Sequence, residues 1–202
     1  HTEGEYVVLM PGSRPGELKA MAHLFIEAAK SLAAKRPQTL FLIPLVNRET
    51  RQAFEQSLHE ADALDLPIRI LYGHAHDALQ AADAALIASG TATLEALLLE
   101  CPHVVTYKVP WLTWQIMRRQ ALQPWISLPN ILAEANIVPE IIQNQASADA
   151  LAEALEHLLS NRDARDRQIE SFRQQRARLK RNTPALIAHA LQPFLNGGQF
   201  AG

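Results

Sequence analysis

The stretch Ile87–Glu100, IASGTATLEALLLE, closes an apolar run with three small residues and then starts an amphipathic pattern at helical spacing. Ser89, Gly90 and Thr91 leave room for a ligand beside the backbone. The first turn of a helix presents unpaired N–H groups at the positive end of its dipole. Residues of these types in this order suit an anion, phosphate above all. Glu95 follows Thr91 by four residues and therefore lies on the same helical face, one turn deeper. In contact with phosphate a carboxylate would repel it; one turn away it can accept from vicinal hydroxyls, as acidic residues do for ribose in dinucleotide sites. A Ser/Thr helix cap with Glu95 on a solvated face explains the same residues without a ligand.

A second stretch, MPGSRPGELK (Met10–Lys19), follows the first strand-like run. Gly12 permits close approach to the backbone, Ser13 can cap or donate, and Arg14 offers a forked cation matched to phosphate. The stretch has no Gly-Lys-Ser/Thr and no GxGxxG, so it is neither a P-loop nor a dinucleotide fingerprint. A capped turn with a solvated arginine is the plainer alternative. Two such loops on one sheet edge favour a nucleotide diphosphate. In a third stretch, WISLPNILAEANIVPEIIQ (Trp125–Gln143), Pro129 fixes a turn and the Asn130 amide can both donate and accept; the alternative is that Asn130 caps the next helix. His74 and His76 beside Asp77 resemble a metal pair, but no further His or Cys ligand stands near in sequence. Helix capping by Asp77 with exposed histidines is the better reading, and neither a metal nor a cofactor is expected.

The elements that must position these loops follow from hydrophobic patterning. Short apolar runs at Tyr6–Met10, Leu40–Ile43, Ile68–Leu71, Ala84–Ala88 and Val104–Tyr107 alternate with helical patterns at Glu17–Lys35, Arg48–Ala63, Asp77–Ala82 and Thr91–Leu99. That alternation predicts a Rossmann-like parallel α/β sheet with helices on both faces. Ligands bind such sheets at the carboxyl ends of the strands. After Tyr107 the alternation stops: residues 108–146 hold all three tryptophans (Trp111, Trp114, Trp125) and mix helix with irregular loop. Ala150, Leu151, Leu155 and Leu158 then form a helical stripe, a basic helix is expected over 162–181, and Pro184 opens a last apolar helix through Leu191. The division expected is 1–160 for the ligand-binding domain and 161–202 for additional helices.

The chain has 202 residues, enough for one domain with a substantial core plus extra helix. Its net charge of −2 provides no general attraction for nucleic acid. Cys101 is the single cysteine, which excludes an internal disulfide and suits a reducing compartment. No apolar stretch approaches the roughly 18–20 residues of a membrane-spanning helix. The start at His1, without Met, reads as a cut at a domain boundary. The segment Asn161–Arg181 carries eight basic and three acidic residues; a solvated helix is the default, and attraction to an anionic membrane surface is the second reading. Its narrow apolar stripe of Ile169, Phe172 and Leu179 should pack on protein rather than insert.

LMPGSRPGE, IPLVN, ASGTATLE and SLPNILA, in that order and at that spacing, resemble the lipid-A-disaccharide synthase family, glycosyltransferases with two Rossmann-like halves in the GT-B arrangement. The resemblance spans roughly residues 6–160. It implies transfer of 2,3-diacylglucosamine from its UDP donor to 2,3-diacylglucosamine 1-phosphate (lipid X), with inversion, by an enzyme peripheral to the cytoplasmic face of the bacterial inner membrane. This chain corresponds to the C-terminal, UDP-holding half. Arg14 would then contact the diphosphate, Ser89, Gly90 and Thr91 would cradle it with backbone amides, Glu95 would reach the ribose, and Asn130 would belong to the donor site. Gly12 and Ser13 complete that set. The resemblance assigns no catalytic residue to this chain, the base belonging to the other half. Ala133–Asn136 reads AEAN where the family often has Ala-Gly-Arg-Glu, so no basic residue is assigned there. The C-terminal helices would pack on the other half of the enzyme or on a second subunit, where they would help build a homodimer. Other GT-B nucleotide-sugar enzymes (a UDP-GlcNAc 2-epimerase, the peptidoglycan GlcNAc transferase) and a non-enzymatic phosphate-binding module are the competing expectations.

Overall fold

A computed structural model describes residues 4–120 and 123–180. The helix expected from Pro184 to Leu191 and the part of 161–202 beyond Lys180 lie outside the described residues, as does any dimer contact they would make. Six strands form one sheet in the order β3-β2-β1-β4-β5-β6, with every pairing parallel. Parallel neighbours need long crossovers, and helices supply them. β1 (Glu5–Met10) leads through α1 (Pro15–Lys35) to β2 (Thr39–Leu45), and α2 (Arg48–Glu60) leads to β3 (Ile68–Tyr72). The chain then returns through α3 (Ala75–Ala81) to the opposite side of β1 as β4 (Ala84–Ala88). α4 (Ala92–Leu98) precedes β5 (His103–Tyr107).

Among the described residues the expected strands and helices all appear, with ends moved by a few residues. The inner runs of β1, β2 and β4 are largely apolar because both faces of the sheet are covered there, whereas the edge strand β3 carries the exposed Arg69. Val7, Leu9, Phe41, Ile43, Ala84 and Leu86 point to one side, where Phe25 and Leu32 of α1, Phe54 of α2, and Leu151 and Leu155 of α7 (Ala148–Ser160) close the core. Val8, Leu42, Ala85 and Ile87 point to the other, against Ala78 and Leu79 of α3 and Ala96 of α4. Successive side chains of a strand alternate between faces, so each strand contributes to both layers.

In the irregular stretch the structure resolves α5 (Trp111–Gln120), α6 (Leu128–Ala133) and a sixth strand, β6 (Glu140–Ile142), which sequence patterning did not separate. Three residues are too few to show a period. The basic helix is α8 (Arg162–Leu179). It buries Ala164, Gln168, Phe172 and Gln175, while Leu179 is exposed; Phe172 packs on protein, as its stripe requires. Arg173 and Arg176 pair with Glu100 at 2.8 and 3.2 Å, and this one carboxylate offsets one of the excess charges available to a membrane.

Candidate functional site: the crevice between β1 and β4

The strand order reverses between β1 and β4, because β1 continues to β2 on one side while β4 begins the run to β6 on the other. The loops leaving these two strands diverge to opposite faces and leave a crevice at the carboxyl edge. A cavity of about 380 Å³ occupies it. Gly12, Ser13, Arg14, Ser89, Gly90, Thr91 and Glu95 all line this cavity. Seven residues singled out in two separate stretches of sequence thus converge on one space.

The first wall is the turn from β1 into α1. Gly12 adopts φ 132°, and a Cβ there would stand 3.0 Å from Glu17 Cβ and 3.3 Å from the Leu18 nitrogen. Only glycine fits without a shift. Pro15 at the first helical position has no N–H to lose, and Arg14 at the cap makes no side-chain cap. Among the described residues, no acceptor meets the N–H groups of Ser13, Arg14, Gly16 or Glu17. The Arg14 guanidinium is largely exposed and donates to Glu17 Oε1 at 3.2 Å. Glu17 was not singled out from the sequence, although it lies in the same stretch; its spacing of three from Arg14 on one helical face was the available signal.

The second wall is the turn from β4 into α4. Its three small residues do different work. The Ser89 N–H continues the sheet by donating to the Thr106 oxygen at 2.9 Å, and its Oγ donates to the Ile126 oxygen at 3.0 Å. The expectation that the Ser89 backbone amide would cradle an anion is therefore corrected: Ser89 anchors the loop, and its amide is occupied. Gly90, with φ 154°, and Thr91 keep theirs open, as does Ala92. Thr93 Oγ donates to the Gly90 oxygen at 2.8 Å and fixes the turn from beneath. Glu95 lies one turn into α4, partly exposed, with His76 Nε2 3.9 Å from its carboxylate.

The far wall comes from the end of β2 and the turn from β3 into α3: Pro44, Leu45, Val46, Gly73 and Ala75. None of these was proposed from the sequence, because an apolar residue ending a strand looks like core until the crevice is seen. Val46 is 58% exposed. Asn47 beside it closes a capping box, accepting from the Thr50 N–H at 2.9 Å while its own N–H donates to Thr50 Oγ1 at 3.3 Å. Among the lining residues Arg14 is the sole cation, against the carboxylates of Glu17 and Glu95. An anion here would meet open backbone N–H groups as much as side-chain charge.

Asn130 is not brought to this cavity. It is fully buried inside α6 and caps no helix; Ser127 precedes α6 instead. Its Oδ1 accepts from the N–H groups of Ile137 and Val138, both at 2.8 Å. Its Nδ2 donates to the Val138 oxygen at 2.9 Å and Glu140 Oε1 at 2.8 Å. Glu140 also receives Ser127 Oγ at 2.6 Å and the Ile126 N–H at 3.0 Å. This group ties α6 to β6 and seats Ile126, on whose oxygen Ser89 is anchored. Asp77 likewise does not cap α3: the cap residue is His74, at φ 54°, and Asp77 in the first turn meets its Nδ1 at 2.8 Å. Cys101 and His103 lie at the amino end of β5, remote from the carboxyl edge. Burial, with Asp83 adding to it, pushes the Cys101 thiol up to about 12. Burial holds His103 down at about 4 against the opposing bond to the Cys101 oxygen, so both stay neutral.

A model of the family described as lipid-A-disaccharide synthetase matches residues 1–191. The chain belongs to this family. It is 45% identical over 195 residues to a lipid-A-disaccharide synthase of Aromatoleum aromaticum, covering 96% of this chain and 50% of that protein. With the Pseudomonas fluorescens lipid-A-disaccharide synthase it shares 46% over 170 residues, covering 84% and 45%. The chain thus spans about half the length of the curated relatives it matches. Among solved structures, a calicheamicin glycosyltransferase superposes with TM-score 0.61 at 17% identity, over 100% of this chain and 44% of that one. A Neisseria meningitidis UDP-GlcNAc 2-epimerase bound to UDP-GlcNAc gives 0.57 at 15%, over 84% and 40%. At such identities the likeness is one of fold, and the fold is that of a GT-B glycosyltransferase half.

Proposed function

We propose that this chain is the donor-binding half of an inverting glycosyltransferase that moves 2,3-diacylglucosamine from its UDP donor to lipid X. The acceptor hydroxyl forms a bond to the anomeric carbon, the bond from that carbon to the UDP oxygen breaks, and the hydroxyl proton passes to a base. The observation that supports this reading most is the convergence of Arg14 with the open N–H groups of Gly90, Thr91 and Ala92 on the β1–β4 crevice. Departing UDP carries developing negative charge, and fixed donors aimed at it lower the barrier without reorganising. Arg14 exchanges Glu17 for the diphosphate, Glu95 accepts from the ribose hydroxyls, and the uracil lies against Leu45, Val46 and Gly73. Asn130 acts at one remove, by holding the strand of backbone that anchors Ser89.

The base and the surface for the acyl chains belong, on this reading, to residues outside this chain. The intact enzyme works at the cytoplasmic face of an anionic inner membrane, and residues 161–202 contribute to a homodimer. Among the described residues no helix is long and apolar enough to cross a membrane. The test is transfer by the intact protein, followed by mass detection of the disaccharide 1-phosphate. Product should form and should fall at least tenfold with Arg14→Ala, whereas the 202-residue chain alone should bind UDP weakly and release no product. Steady turnover by the chain alone, or an intact protein that only epimerises UDP-GlcNAc, would refute the proposal.

A further inference from the structure

α5 follows the carboxyl end of β5 after a short turn, so it starts on the same sheet edge as the β1–β4 crevice. Trp111, in its first turn, is 69% exposed, more than any other large apolar side chain among the described residues. Lys108 and Arg119 are exposed as well, and among the described residues neither pairs with a carboxylate. The sequence sharpens this imbalance. No Asp or Glu stands between Glu100 and Glu134, a span that carries Lys108, Arg118 and Arg119 in a chain whose net charge is −2. Glu140, farther on, is held inside by Ser127 and Asn130.

Charge and aromatic character together select the partner. Tryptophan favours the boundary between water and lipid, where its ring is buried and its N–H stays wet. Unpaired cations beside it are drawn to anionic headgroups. α8, the other basic helix, is built differently. Asp163, Asp166 and Glu170 interrupt its cations, and Arg162 lies 3.6 Å from Asp166. Gln168 of α8 clamps His103 at the amino end of β5, accepting from its N–H at 2.9 Å and donating to its oxygen at 3.4 Å. α8 is thus fastened at the amino end of the strand from whose carboxyl end α5 departs. A ligand entering the crevice comes from the carboxyl edge.

We infer that α5 is the helix that seats this protein on an anionic lipid surface: Trp111 enters the interfacial layer, Lys108 and Arg119 meet lipid phosphates, and α8 stays in water. The inference rests on the proposed function for the presence of a bilayer, and it sets the crevice beside the lipid from which a diacyl donor arrives. Sedimentation of the intact protein with vesicles of phosphatidylcholine, alone and mixed with phosphatidylglycerol, tests it. Partition should rise about tenfold with the anionic lipid and fall as salt is raised. The double variant Lys108→Glu with Arg119→Glu, and Trp111→Ser, should each lower it about tenfold. Arg162→Glu and Arg178→Glu on α8 should leave it within about twofold. Equal partition into both kinds of vesicle, loss through α8 rather than α5, or no partition at all overturns the inference. Wild-type partition by the α5 variants also overturns it, and a lowered melting temperature in them would then place Trp111 against the other half of the enzyme. Brominated phosphatidylglycerol gives a readout in a conservative variant: it should quench tryptophan emission less in Trp111→Phe than in the wild type, and equal quenching refutes the contact. UDP affinity measured without vesicles separates the two readings. It should be unchanged in the double variant, whose residues stand outside the crevice, and failure of the wild type to bind UDP strikes the crevice reading instead.

Discussion

Two loop clusters meet at Ser89 and are built on opposite principles. Over β1 and β4 the backbone turns on Gly12 and Gly90, and the N–H groups of Gly16, Gly90, Thr91 and Ala92 have no acceptor among the described residues. Between α6 and β6 the polar groups of Ser127, Asn130 and Glu140 satisfy one another, and Ser127 and Asn130 are fully buried. The first cluster leaves its donors open, as the proposed diphosphate site requires; the second uses its own to hold shape. Residues of the same kind, small or amide-bearing and next to helix starts, stay unpaired in one place and serve positioning in the other. Only the bookkeeping of donors and acceptors separates them.

The comparison is broken most forcefully at Asn130. Asn130→Ala strands the backbone N–H groups of Ile137 and Val138 in a closed interior and removes the donor to Glu140, which should lower unfolding free energy by on the order of 4 kcal/mol. Denaturant titration reads this directly, and a loss below about 1 kcal/mol would mean that the knot does not bind α6 to β6. His103 gives the next effect. It is fully buried, stacked on Phe172 at 5.3 Å, and neutral in the fold. Between the ordinary value near 6.5 and the folded value of about 4, the unfolded chain takes up a proton that the folded chain refuses. The stability this group contributes is therefore complete above pH 6.5 and is lost as pH falls toward 4, by on the order of 3 kcal/mol. Melting curves from pH 7.5 to 4 should fall more steeply for the wild type than for His103→Gln; parallel slopes would reject the assignment. Gly12→Ala comes third: the positive φ and the contact with Glu17 should cost about 1–3 kcal/mol of stability and weaken UDP binding with it. Unchanged melting and unchanged UDP affinity in that variant would show that the β1 turn has slack.

The difference between the clusters also explains what was legible in the sequence. Open loops announce themselves by composition, so Gly12, Arg14, Gly90, Thr91 and Glu95 were readable from two short stretches and do line one cavity. The sheet was readable because apolar runs at Val7–Leu9 and Ala84–Ala88 leave no polar face. Asn130 reads as a site residue because a buried amide and a binding amide look alike in one dimension. Its partners at Ile137, Val138 and Glu140 lie seven to ten residues away across a turn whose course no periodicity reveals. The Ser89 amide was misassigned for a related reason, since only the register of β4 against β5 shows that Thr106 already holds it. β6 and the apolar wall at Val46 were hidden by brevity and by ordinariness.

The central claim is that the open cluster holds a nucleotide diphosphate through Arg14 and exposed backbone donors. Calorimetric titration of the intact protein with UDP, repeated on Arg14→Ala and Glu95→Ala, tests it most directly. Arg14 is 81% exposed and its pairing with Glu17 adds little to folding, so its removal should leave stability within about 0.5 kcal/mol. The same change should weaken UDP binding by about ten- to a hundredfold, the worth of one charge-assisted contact of roughly 1.5–3 kcal/mol. Glu95→Ala should weaken it less, and 2'-deoxy-UDP should erase the difference between that variant and the wild type. Equal UDP affinity across all three proteins would contradict the account and return the Ser89–Thr91 turn to the role of a helix start.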